Sequence, residues 1–67
     1  MTERQQELIG IIRAFVKENG YAPTIREISE MMGVSLATAQ KYLRELAELD
    51  QIVRRERTAR GYKLKGM

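Results

Sequence analysis

The stretch between Ser35 and Lys41 combines side chains that can form hydrogen bonds with side chains short enough to permit close contact. A glutamine can pair with adenine through two hydrogen bonds, a lysine can donate to guanine, and alanine or threonine methyl groups can contact the thymine methyl group. No acidic residue follows until Glu45. Simple solvation of Gln40 and Lys41 is the alternative interpretation. The candidates for reading DNA base edges are Ser35, Ala37, Thr38, Gln40 and Lys41.

Basic residues are concentrated at the C-terminal end of the sequence. Residues 1–50 hold six Lys/Arg and eight Asp/Glu, whereas residues 51–67 hold six Lys/Arg and only Glu56 as an acid. This asymmetry favours a polyanionic partner, although a solvated tail is the alternative. The predicted DNA-backbone contacts in this region are Arg54, Arg55, Arg57, Thr58, Arg60 and Lys63. Those predicted on the helices are Thr24, Arg26 and Arg44.

The composition argues against an enzyme, a metal site and a membrane segment. The sequence has no histidine, the commonest general base, and no cysteine for a thiolate zinc site or a disulfide. Glu27 and Glu30 lie one helical turn apart, but near a helix start they are expected to serve capping and the helix dipole. The apolar run of residues 8–12 is far shorter than the roughly 20 residues that span a bilayer. We expect a soluble intracellular protein without cofactor, metal or small-molecule substrate.

Thr2 and Gln5 form a capping-box pattern at the start of the first predicted helix. Apolar residues at helical spacing continue over residues 3–18, and Gly20 follows as a C-cap, so this helix should supply much of the core. Gly10 inside the helix costs about 1 kcal/mol relative to alanine. We expect another backbone segment to pass close to Gly10.

A second capping box, which begins at Thr24, predicts a short helix over residues 25–32 that Gly33 ends. Ser35 then caps a third helix, over residues 36–49. The two helices and the three-residue turn between them have the proportions of a helix-turn-helix motif. An unspecialised helical corner, which uses the same glycine, is the alternative. The inward face of the third helix is predicted to contain Ala39, Leu43 and Leu46, with Tyr42, Ala47 and Leu49 beside them.

Two segments with strand-like patterns follow the helices. Residues 51–55 and 61–65 are predicted to be strands, the second alternating at period 2, with the basic residues 56–60 between them. A β-hairpin beside a recognition helix forms a wing that can lie along the phosphate backbone or enter the minor groove. Charged edge strands also discourage aggregation, but that role predicts mixed charges. We predict one domain over residues 1–67, mainly α with a small β-hairpin, in a winged helix-turn-helix fold.

Three segments of the sequence resemble the N-terminal DNA-binding domain of the LexA repressor family, in the family's order and spacing. They are TERQQELI at residues 2–9, NGYAPTIREISEMMGVS at residues 19–35, and the hairpin after the third helix; the resemblance covers essentially the whole sequence. It implies a winged helix-turn-helix whose third helix reads the major groove of a palindromic operator while the wing touches the DNA backbone. Carried over by position, the resemblance assigns base readout to the same Ser35, Ala37, Thr38, Gln40 and Lys41.

Local differences from the family pattern concern the readout and the end of the third helix. The turn before Ser35 is one residue shorter than in many relatives, and Gln40 and Lys41 stand where acidic or amide groups are common. The target therefore need not be the familiar SOS operator. Asp50 stands where glycine is usual, and it tolerates a left-handed conformation less well. Because the sequence holds no counterpart of the self-cleaving protease half, we expect an isolated domain or a small phage or plasmid relative.

The main prediction is a cytoplasmic transcriptional regulator that binds double-stranded DNA sequence-specifically. Repression rather than activation is implied by the resemblance alone. A single domain buries roughly 600–1,000 Å² of its surface on DNA. Because this is a small interface, we expect two copies to bind as a homodimer on a palindromic operator. The alternative is a winged-helix docking module that meets a basic protein partner through the acidic residues Glu27, Glu30, Glu45 and Glu48.

Overall fold

The computed structural model describes residues 1–54 and 62–66, and the first element along the chain is the helix α1, Glu3–Asn19. The hydroxyl of Thr2 accepts a hydrogen bond from the N–H of Gln5 at 3.2 Å, and the Gln5 side chain accepts one from the N–H of Thr2 at 2.9 Å. Gly20 ends the helix in a left-handed conformation. The predicted capping box and C-cap are confirmed. Among the described residues, no helix is both long and apolar enough to cross a membrane.

The next two helices, α2 (Ile25–Met32) and α3 (Leu36–Glu48), are joined by a tight turn and form the predicted helix-turn-helix. Thr24 caps α2, because its hydroxyl accepts a hydrogen bond from the N–H of Glu27 at 3.1 Å. The Glu27 carboxylate in turn accepts one from the N–H of Thr24 at 2.7 Å. Gly33 has a φ of 70° and a ψ of 34°, a left-handed conformation that a Cβ disfavours, which is why the chain can turn here.

The core lies between the three helices and the hairpin that follows them. Each helix contributes residues spaced three or four apart, as an amphipathic helix in a globular protein does. Fully burying one such apolar side chain stabilises the fold by about 1.5–3 kcal/mol, so the inward face of α3 fixes that helix against α1 and α2. The fully buried members of the core include Leu8, Ile12, Ile28, Ala39 and Leu46, with Leu43, Ile52 and Leu64 almost completely buried.

The strands β1 (Ile52–Arg54) and β2 (Tyr62–Leu64) pair antiparallel and form the predicted hairpin. Ile52 lies opposite Leu64 and both are buried, whereas the next pair, Val53 and Lys63, is exposed. This alternation follows from the two-residue period of a strand. Among the described residues, β1 begins one residue later and β2 ends one residue earlier than predicted. The predicted connection of residues 56–60 lies outside the described residues.

One side-chain hydrogen bond joins the hairpin to the loop before α2, and two contacts of Lys65 join the end of β2 to the segment between α3 and β1. The hydroxyl of Tyr62, which is 8% exposed, donates a hydrogen bond to the carbonyl oxygen of Pro23 at 2.6 Å. The N–H of Lys65 donates to the carbonyl oxygen of Gln51 at 2.9 Å, and its ammonium group pairs with the Asp50 carboxylate. The hairpin is therefore tied both to the loop before α2 and to the segment after α3.

Two predictions about individual residues are wrong. Gly10 faces solvent, and a Cβ built there would meet no atom of the described chain within 4 Å beyond its own helix. No other described backbone segment passes close to it, because Gly10 lies two residues from both Leu8 and Ile12 and therefore on the opposite face of the helix from these buried residues. Leu49 is 45% exposed rather than inward-facing, because α3 ends before it and the chain turns away at Asp50, whose φ is 61°.

Candidate nucleic-acid interface

An exposed stripe of four side chains runs along α3 on the side opposite the core. Positions 37, 40, 41 and 44 follow the spacing i, i+3, i+4 and i+7, which places them on one face of a helix. All four are exposed in the described structure, so this face is accessible to a partner. We call it the α3 face, and it consists of Ala37, Gln40, Lys41 and Arg44.

Ser35 and Thr38 form a closed hydroxyl pair at the N-terminus of α3. The Ser35 hydroxyl oxygen accepts a hydrogen bond from the N–H of Thr38 at 3.1 Å, as the sequence predicts for an N-cap. The same hydroxyl donates to the Thr38 hydroxyl oxygen at 2.9 Å. The Ser35 hydroxyl hydrogen is thereby used within the first turn of α3.

The electrostatics of the α3 N-terminus favour an anionic partner. The peptide dipoles of a helix sum to a partial positive charge at this end. The first turn of α3 contains no acidic residue, so no side chain of that turn neutralises the charge. Lys41 and Arg44 add two exposed cations on the α3 face. Phosphate oxygens and the acceptor atoms of base edges are the groups that such a surface attracts.

The residues predicted to contact the DNA backbone differ in what they can offer to a phosphate. Arg26, Arg44 and Lys63 are exposed and can each reach an external phosphate. Thr24 is half-buried, and its N–H already donates to Glu27, so it can offer a phosphate only its hydroxyl hydrogen. The contribution of Thr24 is therefore expected to be smaller than that of the three cations.

The basic hairpin tip is described only at its edges. Arg54 is the last residue of β1, where it pairs with Tyr62. The other predicted contacts at the tip, Arg55, Arg57, Thr58 and Arg60, lie outside the described residues. That the tip and the α3 face lie on the same side of the molecule stays a prediction.

The acidic residues proposed for the docking alternative do not form one open surface. The carboxylate of Glu27 closes the capping box of α2. Glu45 is half-buried, and its Oε1 accepts a hydrogen bond from the side-chain amide of Gln5 on α1 at 3.1 Å. Glu30 and Glu48 remain exposed on two different helices. Half of the predicted acidic set is therefore engaged within the fold.

Sequence reasoning missed two residues that join distant parts of this region. Gln5 was predicted only as a capping residue, but its amide also contacts α3. Tyr62 was predicted only as part of a strand, but its hydroxyl contacts the loop before α2. A period-2 pattern that places Tyr62 on the same side as Leu64 was the available signal for its burial. No local pattern signals the partner of either side chain.

Comparison with known proteins agrees with this geometry. The family model described as LexA DNA binding domain matches residues 1–61. The LexA repressor of Roseiflexus sp. (strain RS-1) is 38% identical over 68 residues, which cover 100% of this chain and 31% of that protein. The LexA repressor of Halorhodospira halophila (strain DSM 244 / SL1) is 40% identical over 65 residues, covering 96% of this chain and 29% of that protein.

A further relative, LexA repressor 1 of Geobacter sulfurreducens (strain ATCC 51573 / DSM 12127 / PCA), is 34% identical over 67 residues. The match covers 98% of this chain and 33% of that protein. The chain therefore spans about a third of the length of these curated relatives.

Proposed function

Because the chain belongs to the LexA DNA-binding domain family, we propose that it binds double-stranded DNA sequence-specifically and represses transcription by occupying an operator. The observation that carries this proposal is the α3 face, an exposed stripe with two cations on a helix whose first turn contains no acid. A helix enters the major groove with its N-terminal residues toward the bases, which is the end that this helix leaves accessible.

The side chains at the start of α3 suit direct readout of base edges. Gln40 can form two hydrogen bonds with the N6 and N7 atoms of adenine, and Lys41 can donate to the O6 and N7 atoms of guanine. The methyl groups of Ala37 and Thr38 are short enough to contact a thymine methyl group without separating helix and groove. Ser35, with its hydroxyl hydrogen already donated, contributes by fixing the first turn against the DNA.

The backbone contacts fix the register of the domain on DNA without reading sequence. We assign them to the exposed Arg26, Arg44 and Lys63, with a smaller share for Thr24 and further contacts from the basic tip, Arg54, Arg55, Arg57, Thr58 and Arg60. Each neutralised phosphate contributes about −0.9 to the slope of the logarithm of the binding constant against the logarithm of salt concentration. Replacing tip residues should therefore lower the magnitude of this slope for every duplex alike.

The size of the chain bears on how it achieves useful affinity. We propose that residues 1–67 form one domain and that two copies bind a palindromic operator as a homodimer. One module of this size buries roughly 600–1,000 Å² of its own surface on DNA, and two half-sites read by two copies raise both affinity and specificity. We propose that such a repressor acts in the cytoplasm, in a bacterial, phage or plasmid context.

The experiment that tests the proposal is selection of bound duplexes from a random pool, followed by binding measurements on the recovered sequence. We expect a palindrome whose half-sites lie about one helical turn apart or a multiple of it. The double variant Gln40→Ala with Lys41→Ala should then lose discrimination between the recovered duplex and a random one by about 30-fold or more. This follows because each good side-chain-to-base pair contributes about 1–3 kcal/mol of discrimination.

A matched control replaces Arg13 and Lys17 on the outer side of α1 with alanine, and it should leave discrimination unchanged. Full discrimination by the Gln40 and Lys41 double variant would refute the readout assignment. A pool that yields no enriched sequence, together with no mobility shift of random duplex at low salt, would refute DNA binding and favour the docking module.

A further inference from the structure

The side-chain amide of Gln5 connects the start of α1 to α3 through its oxygen and its nitrogen. Its oxygen accepts a hydrogen bond from the N–H of Thr2 at 2.9 Å, and its nitrogen donates to Oε1 of Glu45 at 3.1 Å. Gln5 is only 8% exposed and Glu45 is half-buried, so the contact is partly shielded from solvent. The two residues are 40 positions apart in the sequence.

This contact bears on Lys41 of the α3 face, because Glu45 lies four positions after Lys41 on the same helix. Opposite charges four residues apart lie next to each other on a helix surface and attract each other. Among the residues that the structure describes, however, ion pairs join Arg4 with Glu7 and Lys65 with Asp50, and none joins Lys41 with Glu45. The Glu45 carboxylate points instead to α1.

We propose that Gln5 is a specificity-positioning residue, which holds the Glu45 carboxylate against α1 and thereby keeps the Lys41 ammonium group available to a base edge. The inference rests on the proposed function, since it assumes that Lys41 contacts DNA. It adds a residue on another helix, away from the α3 face, that governs how well the readout works.

The amide chemistry of Gln5 supports this role beyond capping. Either glutamic acid or glutamine at this position can close a capping box with Thr2. Only glutamine can close the box and also donate a hydrogen bond to Glu45, because an ionised carboxylate has no donor. A residue needed solely to cap α1 would not require the nitrogen that contacts α3.

The variant Gln5→Glu tests the proposal because it keeps the capping box but removes the donor and brings two carboxylates together. Repulsion should turn Glu45 toward Lys41, whose ammonium group then pairs within the helix. We expect discrimination at the base pair that depends on Lys41 to fall about two- to threefold, because the ammonium group must give up its pair with Glu45 before it can contact the base. The measurement is fluorescence anisotropy with the selected duplex and with duplexes changed at single base pairs, at a temperature where thermal unfolding shows each variant to be folded.

Two further variants separate this role from a general loss of structure. The exchange Gln5→Glu with Glu45→Gln reverses donor and acceptor, keeps the same total charge, and should restore discrimination. Gln6→Glu adds the same charge at an exposed neighbouring position and should leave discrimination unchanged. Equal weakening of all duplexes by Gln5→Glu, or failure of the exchange to restore discrimination, would overturn the proposal.

A background of Lys41→Ala distinguishes failure of this inference from failure of the proposed readout. In that background, Gln5→Glu should cause no further loss of discrimination. If Lys41→Ala alone changes nothing, the assignment of Lys41 to base readout is wrong and this inference falls with it. If Lys41→Ala lowers discrimination while Gln5→Glu does not, the readout stands and only the positioning role of Gln5 is refuted.

Discussion

The N-termini of α2 and α3 begin with the same type of cap but differ three residues later. Thr24 and Ser35 each accept a hydrogen bond from a backbone N–H through their hydroxyl oxygen, at 3.1 Å in both cases. In α2 the third helical residue is Glu27, whose carboxylate returns to the N–H of Thr24. In α3 the third helical residue is Thr38, whose hydroxyl contacts the Ser35 hydroxyl instead.

The difference separates a helix end whose N-cap N–H is occupied by its own carboxylate, which leaves the Arg26 side chain and the Thr24 hydroxyl for a phosphate, from one whose first turn carries no acid. A carboxylate in the first turn stabilises a helix by about 0.3–1 kcal/mol through its interaction with the dipole. The same carboxylate would repel DNA phosphates from that end. α2 contains such an acid and α3 does not. The chain therefore forgoes local stabilisation at the helix end that is proposed to contact DNA and keeps it at its neighbour.

The largest expected effect comes from giving α3 the acid that α2 contains. Thr38→Glu should raise the free energy of unfolding by about 0.5 kcal/mol, because it completes a capping box with Ser35. The same variant should weaken binding to the selected duplex on the order of 100-fold, since it places a like charge against the DNA. Thermal unfolding and fluorescence anisotropy measure the two effects.

Thr38→Gln is the matched control for that variant. Glutamine also completes a capping box but adds no charge, so its binding should lie much closer to that of the parent chain. Equal affinity of the Glu and Gln variants for DNA would mean that the N-terminus of α3 does not face phosphate, and the contrast between the two helices would lose its functional meaning.

The converse change removes the acid from α2. Glu27→Ala should lower the free energy of unfolding by about 1–2 kcal/mol, because the N–H of Thr24 loses a charged acceptor at 2.7 Å. Discrimination between duplexes should not change. Chemical denaturation measures the stability, with Glu30→Ala, an exposed acid beyond the first turn, as the control that leaves it nearly unchanged. A loss of discrimination by folded Glu27→Ala protein would show that α2 takes part in readout.

The smallest expected effect provides a reference for stability alone. Gly10→Ala on α1 should raise the free energy of unfolding by about 1 kcal/mol, since the site is open and helical and alanine is the better helix former. Ala14→Gly, at an exposed position one turn later, should lower it by a similar amount. Neither variant should alter discrimination. Destabilisation by Gly10→Ala would contradict the open space around that residue.

The features that could be predicted from sequence were those that depend on neighbouring residues. Hydroxyl caps at Thr2, Thr24 and Ser35 act on the next helical turn, so their patterns predicted all three helix starts. Helical spacing of apolar residues predicted the inward face of α3 for the same reason. The exposure of Gln40 and Lys41 followed from that inward face, because the two sides of one helix are fixed relative to each other.

The features that could not be predicted depend on what the elements meet after folding. A glycine within a helix lowers the stability of that helix, but its presence does not show what lies around it. The prediction that another backbone segment passes close to Gly10 was therefore wrong. Leu49 fitted the inward spacing, but the helix ended one residue before it. The contacts of Gln5 with Glu45 and of Tyr62 with Pro23 join residues about 40 positions apart, and both side chains already had a sufficient local explanation.

The hydrogen bond from Tyr62 to Pro23 also bears on the order in which the molecule folds. The chain segment between these residues must close before the bond can form, and the entropy cost of closure grows with the length of the segment. The helical corner, by contrast, is built from contacts between residues near each other in sequence, and such contacts form faster. We expect α2 and α3 to pack first and the hairpin to dock last, so that a nascent chain acquires its recognition helix before its wing.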